Sequence, residues 1–394
     1  MQIVSSTAEL KEVCQRLAGA DYITVDTEFL RDTTYWPKLC LIQVAGPNDE
    51  IIIDPLLDDL GLESFFELMT NHNVLKVFHA ARQDLEIFYY LSRTIPEPMF
   101  DTQIAAMVCG FGDSVGYETL VAKLAKGTLD KTSRFTDWSH RPLSDRQLEY
   151  AIGDVTYLRT VYEKLSAKLD QNGRTEWLDE EMANLMNPKI YQMLPEDGWK
   201  RVKTKSTNRR FLGILVEIAA WREREAQGRD VPRRRILKDE SLAEIAAHPP
   251  QSSKDLDRMR GIPRGFGNSK MAQDLLKAVA DGVAMPDSAL PMVNKPKNVP
   301  RGIGPVVDLL KVLLKMKCEE EHVAQKLVYN NSDLESLAAD DNADIPLLNG
   351  WRRDLFGKDA LALKHGKLAL AIEGHKLRFV TVEAADLAAS NDGD

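Results

Sequence analysis

The fold of this chain is decided by one short stretch, Ile23-Thr24-Val25-Asp26-Thr27-Glu28-Phe29, in which two carboxylates interrupt an apolar run. The run predicts a β-strand, and side chains two residues apart on a strand point to the same face. Asp26 and Glu28 are therefore expected side by side. Neighbouring like charges are unfavourable in a buried place without a cation between them, and carboxylate oxygens suit Mg²⁺ or Mn²⁺. The stretch therefore predicts a metal site.

The residues around this strand alternate between β-type and helical patterns. The β-type runs at 21–29, 39–45 and 50–54 are separated by turn residues and predict an antiparallel meander. A fourth strand is predicted at 74–79. Helices are predicted at 62–69, 82–91, 102–109, 117–125 and 144–169. A meander followed by a strand–helix unit predicts an α/β domain with a mixed sheet and helices on its faces.

The chain beyond about residue 170 has few β-type runs and is predicted to be mostly helical. An apolar stripe with helical spacing starts at 211–221, and helical patterns continue to residue 282. A Pro-rich stretch at 285–300 predicts a linker, and residues 384–394 are small and acidic, which predicts disorder. Further helices are predicted at 306–316, 322–327, 332–338 and 361–371. Three folded units are therefore expected.

The composition is that of a globular protein. The chain has 394 residues, 44% of them hydrophobic, which suggests roughly two to three domains. The four cysteines are scattered and form neither a disulfide framework nor a zinc-binding spacing. The first residues do not resemble a secretory leader, and no stretch approaches the ~20 apolar residues that cross a bilayer. We therefore expect a cytoplasmic protein with no membrane partner.

Charge is distributed unevenly along the chain. The net charge is -9, yet residues 200–299 carry 21 Lys and Arg against 12 Asp and Glu. The densest basic run contains Lys200, Arg201, Lys203 and Lys205. Such a run is either a solvated linker without a partner or a contact for a phosphate backbone.

Three further side chains are candidates to join the two strand carboxylates. Asp84 falls in the first turn of the helix after strand 74–79, where it can reach the carboxyl edge of the sheet. Tyr150 and Asp154 are spaced so that they share one face of a helix. Four carboxylates in one place can hold two divalent ions for phosphodiester hydrolysis, and a tyrosine hydroxyl can orient the attacking water or help to remove its proton. Each element alone is more typical of a solvated surface, but their combination favours an active site.

Four stretches resemble the motifs of one known family, in the order in which that family has them. They lie at residues 25–29, 34–44, 77–86 and 150–155, the last reading Tyr150-Ala151-Ile152-Gly153-Asp154-Val155. Over about residues 1–170 the chain is similar to bacterial ribonuclease D, a DEDD-type 3′-5′ exonuclease with a tyrosine in the last motif. The resemblance implies a ribonuclease H-like fold and two divalent ions, Mg²⁺ or Mn²⁺. It also implies that Tyr150 acts on the water and that the metal ligands are Asp26, Glu28, Asp84 and Asp154.

The helical part of the chain extends this resemblance. Trp221-Arg222-Glu223-Arg224-Glu225 and the residues at 231–240 are similar to the HRDC domain, a small helical bundle of RNA- and DNA-processing enzymes. Residues 303–378 resemble a second, divergent copy. The implied organisation is an exonuclease domain at 1–170, a helical basic linker at 171–208, all-α HRDC domains at 209–284 and 303–378 with a linker at 285–302 between them, and an acidic tail at 379–394.

Several residues are candidates to contact the substrate, each with a structural alternative. His79 approaches the RNA 3′ end or is a hydrogen-bonded strand terminus. The aromatic residues Phe29, Tyr35 and Trp36 stack on bases or belong to the core. Gln43 contacts a sugar or ends a strand, and Arg82 contacts a phosphate. The basic candidates are Lys200, Arg201, Lys203, Lys205, Arg233, Arg234 and Arg235.

The predicted function is that of a metal-dependent 3′-5′ exoribonuclease, acting as a monomer, that releases 5′-mononucleotides one at a time. The resemblance implies that its substrates are tRNA precursors and other small structured RNAs with single-stranded 3′ ends. Two alternatives stay open. One is a DNA exonuclease on the same fold, which the lack of a polymerase or helicase segment disfavours. The other is a catalytically silent RNA-binding scaffold, which would lack one of the carboxylates.

Overall fold

A mixed six-stranded sheet forms the centre of the N-terminal part in the computed structural model, which describes residues 1–130, 132–292, 300 and 302–382. The strands are β1 (Gln2–Val4), β2 (Tyr22–Leu30), β3 (Lys38–Ala45), β4 (Glu50–Ile53), β5 (Leu75–Phe78) and β6 (Met99–Asp101). Their order across the sheet is β1-β4-β3-β2-β5-β6. The pairs β2/β3 and β3/β4 are antiparallel and the remaining pairs are parallel. The predicted meander and the predicted mixed sheet are confirmed.

Six helices accompany this sheet. They are α1 (Thr7–Leu17), α2 (Glu63–Met69), α3 (Arg82–Ser92), α4 (Thr102–Val108), α5 (Tyr117–Leu120) and α6 (Asp145–Gln171). A π-helical turn (Val121–Ala125) extends α5. Apolar residues of the strands and helices are buried in one large cluster and in a smaller one that includes Leu41 and Ile52, so each sheet face is covered.

Helix α6 is the long element that crosses the sheet beside β2 and β3. Ser144 caps it with a capping box in which Gln147 takes part, which satisfies free N–H groups of the first turn. Its apolar positions Val155, Leu158 and Val161 are fully buried or nearly so. Because polar side chains interrupt this buried face near its start, α6 can present functional groups toward the edge of the sheet.

The rest of the described chain is mostly helical, as predicted. The helices are α7 (Thr175–Leu185), α8 (Arg209–Gly228), α9 (Arg233–Ile236), α10 (Asp239–Ala247), α11 (Ser253–Asp257), α12 (Lys270–Ala284), α13 (Gly304–Glu320), α14 (Gln325–Val328), α15 (Asn331–Ala339), α16 (Gly350–Arg352) and α17 (Lys358–Lys364). The prediction of a helix over 361–371 is wrong beyond Lys364. A hairpin of β7 (Leu368–Glu373) and β8 (Lys376–Thr381) follows, so the region at 303–378 is not purely helical.

Helix α8 and the loop before β3 form the contact between the first helical unit (residues 209–284) and the sheet domain. The Tyr35 hydroxyl donates a 2.5 Å hydrogen bond to the buried carboxylate of Glu223. The Asp230 carboxylate accepts hydrogen bonds from the backbone N–H groups of Tyr35 and Trp36, both at 3.0 Å. Trp36 stacks on Tyr90 of α3 with ring centroids 4.3 Å apart. Of the two alternatives for Tyr35 and Trp36, the contacts favour the core role, because both side chains pack in this contact.

The second helical unit also contacts the sheet domain, through α7. Trp351 stacks on Trp177 with centroids 4.4 Å apart. The Arg352 guanidinium pairs with Glu180 at 2.8 Å and also with Glu181. Much of the linker predicted at 285–302 (residues 293–299 and 301) and most of the acidic tail predicted at 379–394 (residues 383–394) lie outside the described residues. Within the described residues, none of the helices combines the length and hydropathy of a bilayer-spanning segment.

Candidate active site

Strand β2 presents Asp26 and Glu28 in the way that its alternation predicts. Asp26 is in register with Gln43 on β3, and Glu28 with Leu41. Between Glu28 and Phe29 the register shifts by one residue, because β3 contributes an extra residue at Cys40. A bulge of this kind bends a strand and increases its twist, and such bulges often lie beside active sites. Here it lies directly after the second carboxylate.

A tight turn between β5 and α3 positions Asp84. Ala80 adopts a left-handed conformation with φ 60°. The buried Asp101 carboxylate holds this turn by accepting hydrogen bonds from the N–H groups of Ala80 (3.0 Å) and Ala81 (2.8 Å). Helix α3 starts at the next residue, and Asp84 lies buried in its first turn. The Thr27 hydroxyl donates a short hydrogen bond to the Asp84 carboxylate, which ties α3 to β2.

Helix α6 supplies Tyr150 and Asp154 from one face, one turn apart, as predicted. The side chain of Tyr150 lies close enough to the Asp154 carboxyl to lower its pKa. The Tyr150 ring packs beside the buried indole of Trp138, with ring centroids 5.9 Å apart. The tyrosine is thus oriented both by a buried ring behind it and by the carboxylate that it contacts.

These side chains converge on one open cavity of about 690 Å³. We call Asp26, Glu28, Asp84 and Asp154 the acidic cluster. All four of its members and Tyr150 line this cavity, although they come from three separate parts of the chain. The other lining residues are Thr27, Phe29, His79, Ala80, Gln83, Gln103, Gly116, Tyr117, Glu118, Thr119, Leu129, Arg134, Phe135 and Leu158.

Burial raises the pKa values of the whole acidic cluster, and repulsion from neighbouring carboxylates adds to the effect at Asp26, Glu28 and Asp84. Burial, together with the negative charge of Asp154, raises the pKa of Asp26 well above its ordinary value. Burial raises the pKa of Asp84 in the same way, and the charge of Asp26 adds to the effect. Burial, and then the charges of the other three carboxylates, raise the pKa of Glu28 to about 10. Burial raises the pKa of Asp154 to about 7, although the nearby Tyr150 side chain acts to lower it. The cluster is thus a place where negative charge needs compensation.

The chemistry of this donor set fits a hard divalent cation. Carboxylate oxygens are the ligands that Mg²⁺ and Mn²⁺ prefer, and a cation among them would reverse the repulsion that raises these pKa values. Among residues 1–130, 132–292, 300 and 302–382, no three His, Cys, Asp or Glu side chains are grouped closely enough to hold an ion by themselves. Mg²⁺ usually keeps several waters and binds through one or two carboxylates plus substrate phosphates, so water and substrate oxygens would supply its remaining ligands.

Two of the other predicted contacts line the cavity and two do not. His79 lies on its wall, where its Nδ1 is 3.0 Å from the Thr102 hydroxyl oxygen. Burial lowers the pKa of His79, against the raising charge of Asp101. Phe29 also lines the cavity. Gln43 is fully buried and is not among the lining residues, so the direct sugar contact predicted for it is wrong in this structure. Arg82 is exposed on α3 and also lies outside the lining.

The predicted basic contacts lie away from the cavity and fall into two groups. Arg233 and Arg201 face the buried Glu223 carboxylate at 3.0 and 3.8 Å, and the guanidinium of Arg233 also lies over the Tyr35 ring. The Arg233 contact is an ion pair without the alignment of a hydrogen bond. Both side chains thus support the contact between domains, which their sequence did not indicate. The remaining basic candidates are exposed and do not contact Glu223: Lys200, which pairs with Asp197, and Lys203, Lys205, Arg234 and Arg235.

Tyr117, Arg134 and Phe135 are among the residues of the cavity wall that were not predicted from the sequence. Tyr117 lies beside His79, with ring centroids 5.4 Å apart, and donates a 3.1 Å hydrogen bond to the carbonyl oxygen of Gly153. Arg134 and Phe135 belong to the loop before α6. In the sequence, Arg134 and Phe135 stand out only as a basic residue next to an aromatic residue in a turn-rich segment. Loop segments of this kind have no periodicity from which a direction can be predicted.

Comparison with known proteins gives a consistent result over nearly the whole chain. A 3′-5′ exonuclease family matches residues 1–170, and the HRDC domain family matches residues 211–279. Ribonuclease D of Nitrobacter hamburgensis is 50% identical over 97% of this chain and 100% of its own length. Ribonuclease D of Gluconacetobacter diazotrophicus is 48% identical over 96% of each chain. The crystal structure of Escherichia coli RNase D, described as an exoribonuclease involved in structured RNA processing, is 28% identical. It superimposes with a TM-score of 0.80, over 93% of this chain and 98% of that one.

Proposed function

The chain belongs to the ribonuclease D family and is a 3′-5′ exoribonuclease, and we propose that the acidic cluster and Tyr150 form its catalytic site. One observation carries this proposal. Side chains from β2, α3 and α6 meet in a single cavity whose carboxylates have raised pKa values. Perturbed titration of several groups in one cleft is typical of catalytic sites.

The reaction is hydrolysis of the last phosphodiester bond at the RNA 3′ end. The oxygen of a water molecule bonds to phosphorus as the bond from phosphorus to the 3′-oxygen of the preceding nucleotide breaks. A 5′-mononucleotide leaves, and the shortened RNA keeps a 3′-hydroxyl group. Two divalent cations held by the acidic cluster would supply the positive charge that stabilises the attacking and leaving oxygens. The four carboxylates fix the position where that charge is available.

Tyr150 acts on the attacking water through its hydroxyl group. Burial, followed by the charges of Asp154 and Glu28, raises the pKa of the Tyr150 hydroxyl well above its ordinary value. A phenol with such a pKa keeps its proton at neutral pH. Its hydroxyl also contacts Asp154, which fixes its direction. The position therefore suits the orientation of a water molecule toward the scissile phosphate.

The HRDC region provides a separate contact for RNA. Arg234 and Arg235 on α9 are exposed, and residues 200–299 carry an excess of basic side chains. Exposed cations of this kind neutralise phosphates and make binding depend on salt. We propose tRNA precursors and other structured RNAs with single-stranded 3′ ends as substrates. A contact outside the catalytic cavity can hold the part of the RNA upstream of the 3′ end while that end lies in the cavity. The second HRDC copy, the monomeric state and the cytoplasmic location stay predictions.

A digestion experiment tests this proposal. A tRNA precursor with a 3′ extension is incubated with the purified protein in Mg²⁺, in Mn²⁺ and with a chelator. We expect release of 5′-mononucleotides from the 3′ end with either metal and none with the chelator. Single-stranded DNA of the same sequence serves as the comparison and should be degraded more slowly. Product release that is unaffected by the chelator would contradict the proposed role of the acidic cluster.

A further inference from the structure

A loop between the α5 region and α6 carries two exposed side chains into the candidate active site. Arg134 and Phe135 both line the cavity that holds the acidic cluster. Phe135 is 90% exposed, more than any other large apolar side chain among the described residues. A ring held in water forgoes the free energy that its burial would give. Its place on the wall of the cavity leaves its ring face available to a bound molecule.

The loop presents these side chains from an anchored base. The carbonyl oxygen of Ser133 accepts hydrogen bonds from the N–H group (3.2 Å) and the hydroxyl (2.8 Å) of Thr136. The Gln147 amide in the first turn of α6 donates to the Thr136 hydroxyl at 3.2 Å. On the far side of the loop, Trp138 is buried beside Tyr150. Phe135 therefore projects from a fixed turn and not from a frayed segment.

Arg134 adds positive charge to a cavity that is otherwise acidic. It is the single Arg or Lys among the described residues that line the cavity. Its guanidinium carbon lies 5.2 Å from the centre of the Phe135 ring, so the two side chains form one tip. Arg134 therefore places a cation on the wall of the cavity that the acidic cluster also lines.

We propose that Arg134 and Phe135 form a substrate-positioning tip, in which Phe135 stacks on a base near the RNA 3′ end and Arg134 pairs with a phosphate of the same strand. This inference rests on the proposed function. An aromatic face accepts every base, and a guanidinium accepts every phosphate. The tip would thus hold the strand near the acidic cluster irrespective of sequence, as an enzyme that removes successive nucleotides requires.

An RNA with abasic nucleotides at its 3′ end separates stacking from every other effect. Initial rates of mononucleotide release are measured on this RNA and on the matching intact RNA, for wild type, Phe135→Ala and Phe135→Trp. We expect Phe135→Ala to raise KM for the intact RNA about 10-fold, the lower part of the range for one base–aromatic stack, with kcat nearly unchanged. On the abasic RNA the variant should match wild type, and Phe135→Trp should restore KM on intact RNA. Ile372→Ala, which removes a side chain that is 77% exposed on β7, is the control.

The outcomes of this experiment are distinct. An equal loss on both RNAs, or no loss on either, would overturn the stacking role of Phe135. Failure of the wild-type protein to release mononucleotides from any RNA would instead overturn the proposed function, and this inference with it.

A binding experiment tests the phosphate contact of Arg134. RNA affinity is measured against salt concentration in an Asp26→Asn background, where hydrolysis is blocked. Loss of one phosphate contact to a single strand should reduce the slope of log K against log salt by about 0.7 in Arg134→Ala. Arg134→Lys should keep most of the slope, and Lys11→Ala, which removes an exposed cation of α1, should leave it unchanged. An unchanged slope in Arg134→Ala would overturn the phosphate contact.

Discussion

Replacing Asp154 with asparagine should stabilise the cation-free protein, and the gain should grow with pH. Burial raises the pKa of the Asp154 carboxyl from 3.8 to about 7 in the folded chain. Below pH 3.8 the group is protonated in both states and its environment costs no stability. Between the two pKa values the unfolded chain releases the proton that the folded chain keeps, so stability falls as pH rises. Above about 7 the loss is complete.

The size of the effect follows from this interval. The interval from pH 5 to the folded pKa is ~2 pH units, and each unit corresponds to ~1.4 kcal/mol. Through this residue, the free energy of unfolding of wild type should therefore fall by about 3 kcal/mol between pH 5 and pH 8. An asparagine cannot titrate, and its side chain has nearly the same size and shape as that of aspartate. The stability of Asp154→Asn relative to wild type should therefore improve by about 3 kcal/mol over the same range.

Scanning calorimetry in the presence of a chelator, at pH 5 and at pH 8, measures this difference. For a cooperative unit of roughly 150–250 residues, about 3 kcal/mol corresponds to a change of roughly 6–12 °C in the Tm difference between the variant and wild type. Asp32→Asn, at an exposed carboxylate outside the cavity lining, is the matched control and should show no such trend. A Tm difference between Asp154→Asn and wild type that stays constant or reverses from pH 5 to pH 8 would refute the reasoning.

Three further predictions concern the water, the RNA contact and the domain contact. Tyr150→Phe should lower kcat about 100-fold and leave the calorimetric affinity for Mn²⁺ unchanged; weaker Mn²⁺ binding would contradict a role limited to the water. The double variant Arg234→Ala, Arg235→Ala should reduce the salt slope of RNA binding by about 1.4 while kcat stays constant, and an equal slope would exclude α9 from the contact. Tyr35→Phe removes the hydroxyl that donates to Glu223 and should lower the free energy of unfolding by about 1–3 kcal/mol in urea denaturation. Tyr90→Phe is its control, because it keeps the ring that stacks on Trp36, and an equal loss there would show that the Glu223 contact is not the cause.

The sheet domain could be predicted well because its signals are local and repeated. The alternation around Asp26 and the apolar run of α6 each span many residues, so their periods identify strand and helix. Strands β1 and β6 were missed because each has three residues, too few to show a period. The helix predicted over 361–371 overlaps β7, because Leu368 and Leu370 continue an apolar pattern that fits both structures.

The candidate site could be predicted in part, and the missing part has a physical reason. Residues on regular elements, such as Glu28 and Tyr150, have directions that spacing alone gives. The loop residue Phe135 has none, and its direction depends on anchors such as Gln147 that lie elsewhere in the chain. The aromatic character of Tyr35 was compatible with base stacking and with domain contact. The choice depended on Glu223, nearly two hundred residues away, which local sequence does not reveal.

The role of Asp26 at the centre of the acidic cluster can be measured directly. Single-turnover release of 5′-mononucleotides from a 3′-labelled RNA is compared among wild type, Asp26→Asn and Asp32→Asn in saturating Mg²⁺, with RNA affinity measured in parallel. We predict that Asp26→Asn lowers the rate by about 100-fold to 1,000-fold, because charge stabilisation of the transition state is lost. RNA affinity should stay close to that of wild type. We predict a normal rate for Asp32→Asn. An Asp26→Asn protein that releases mononucleotides at the wild-type rate would contradict this role of Asp26.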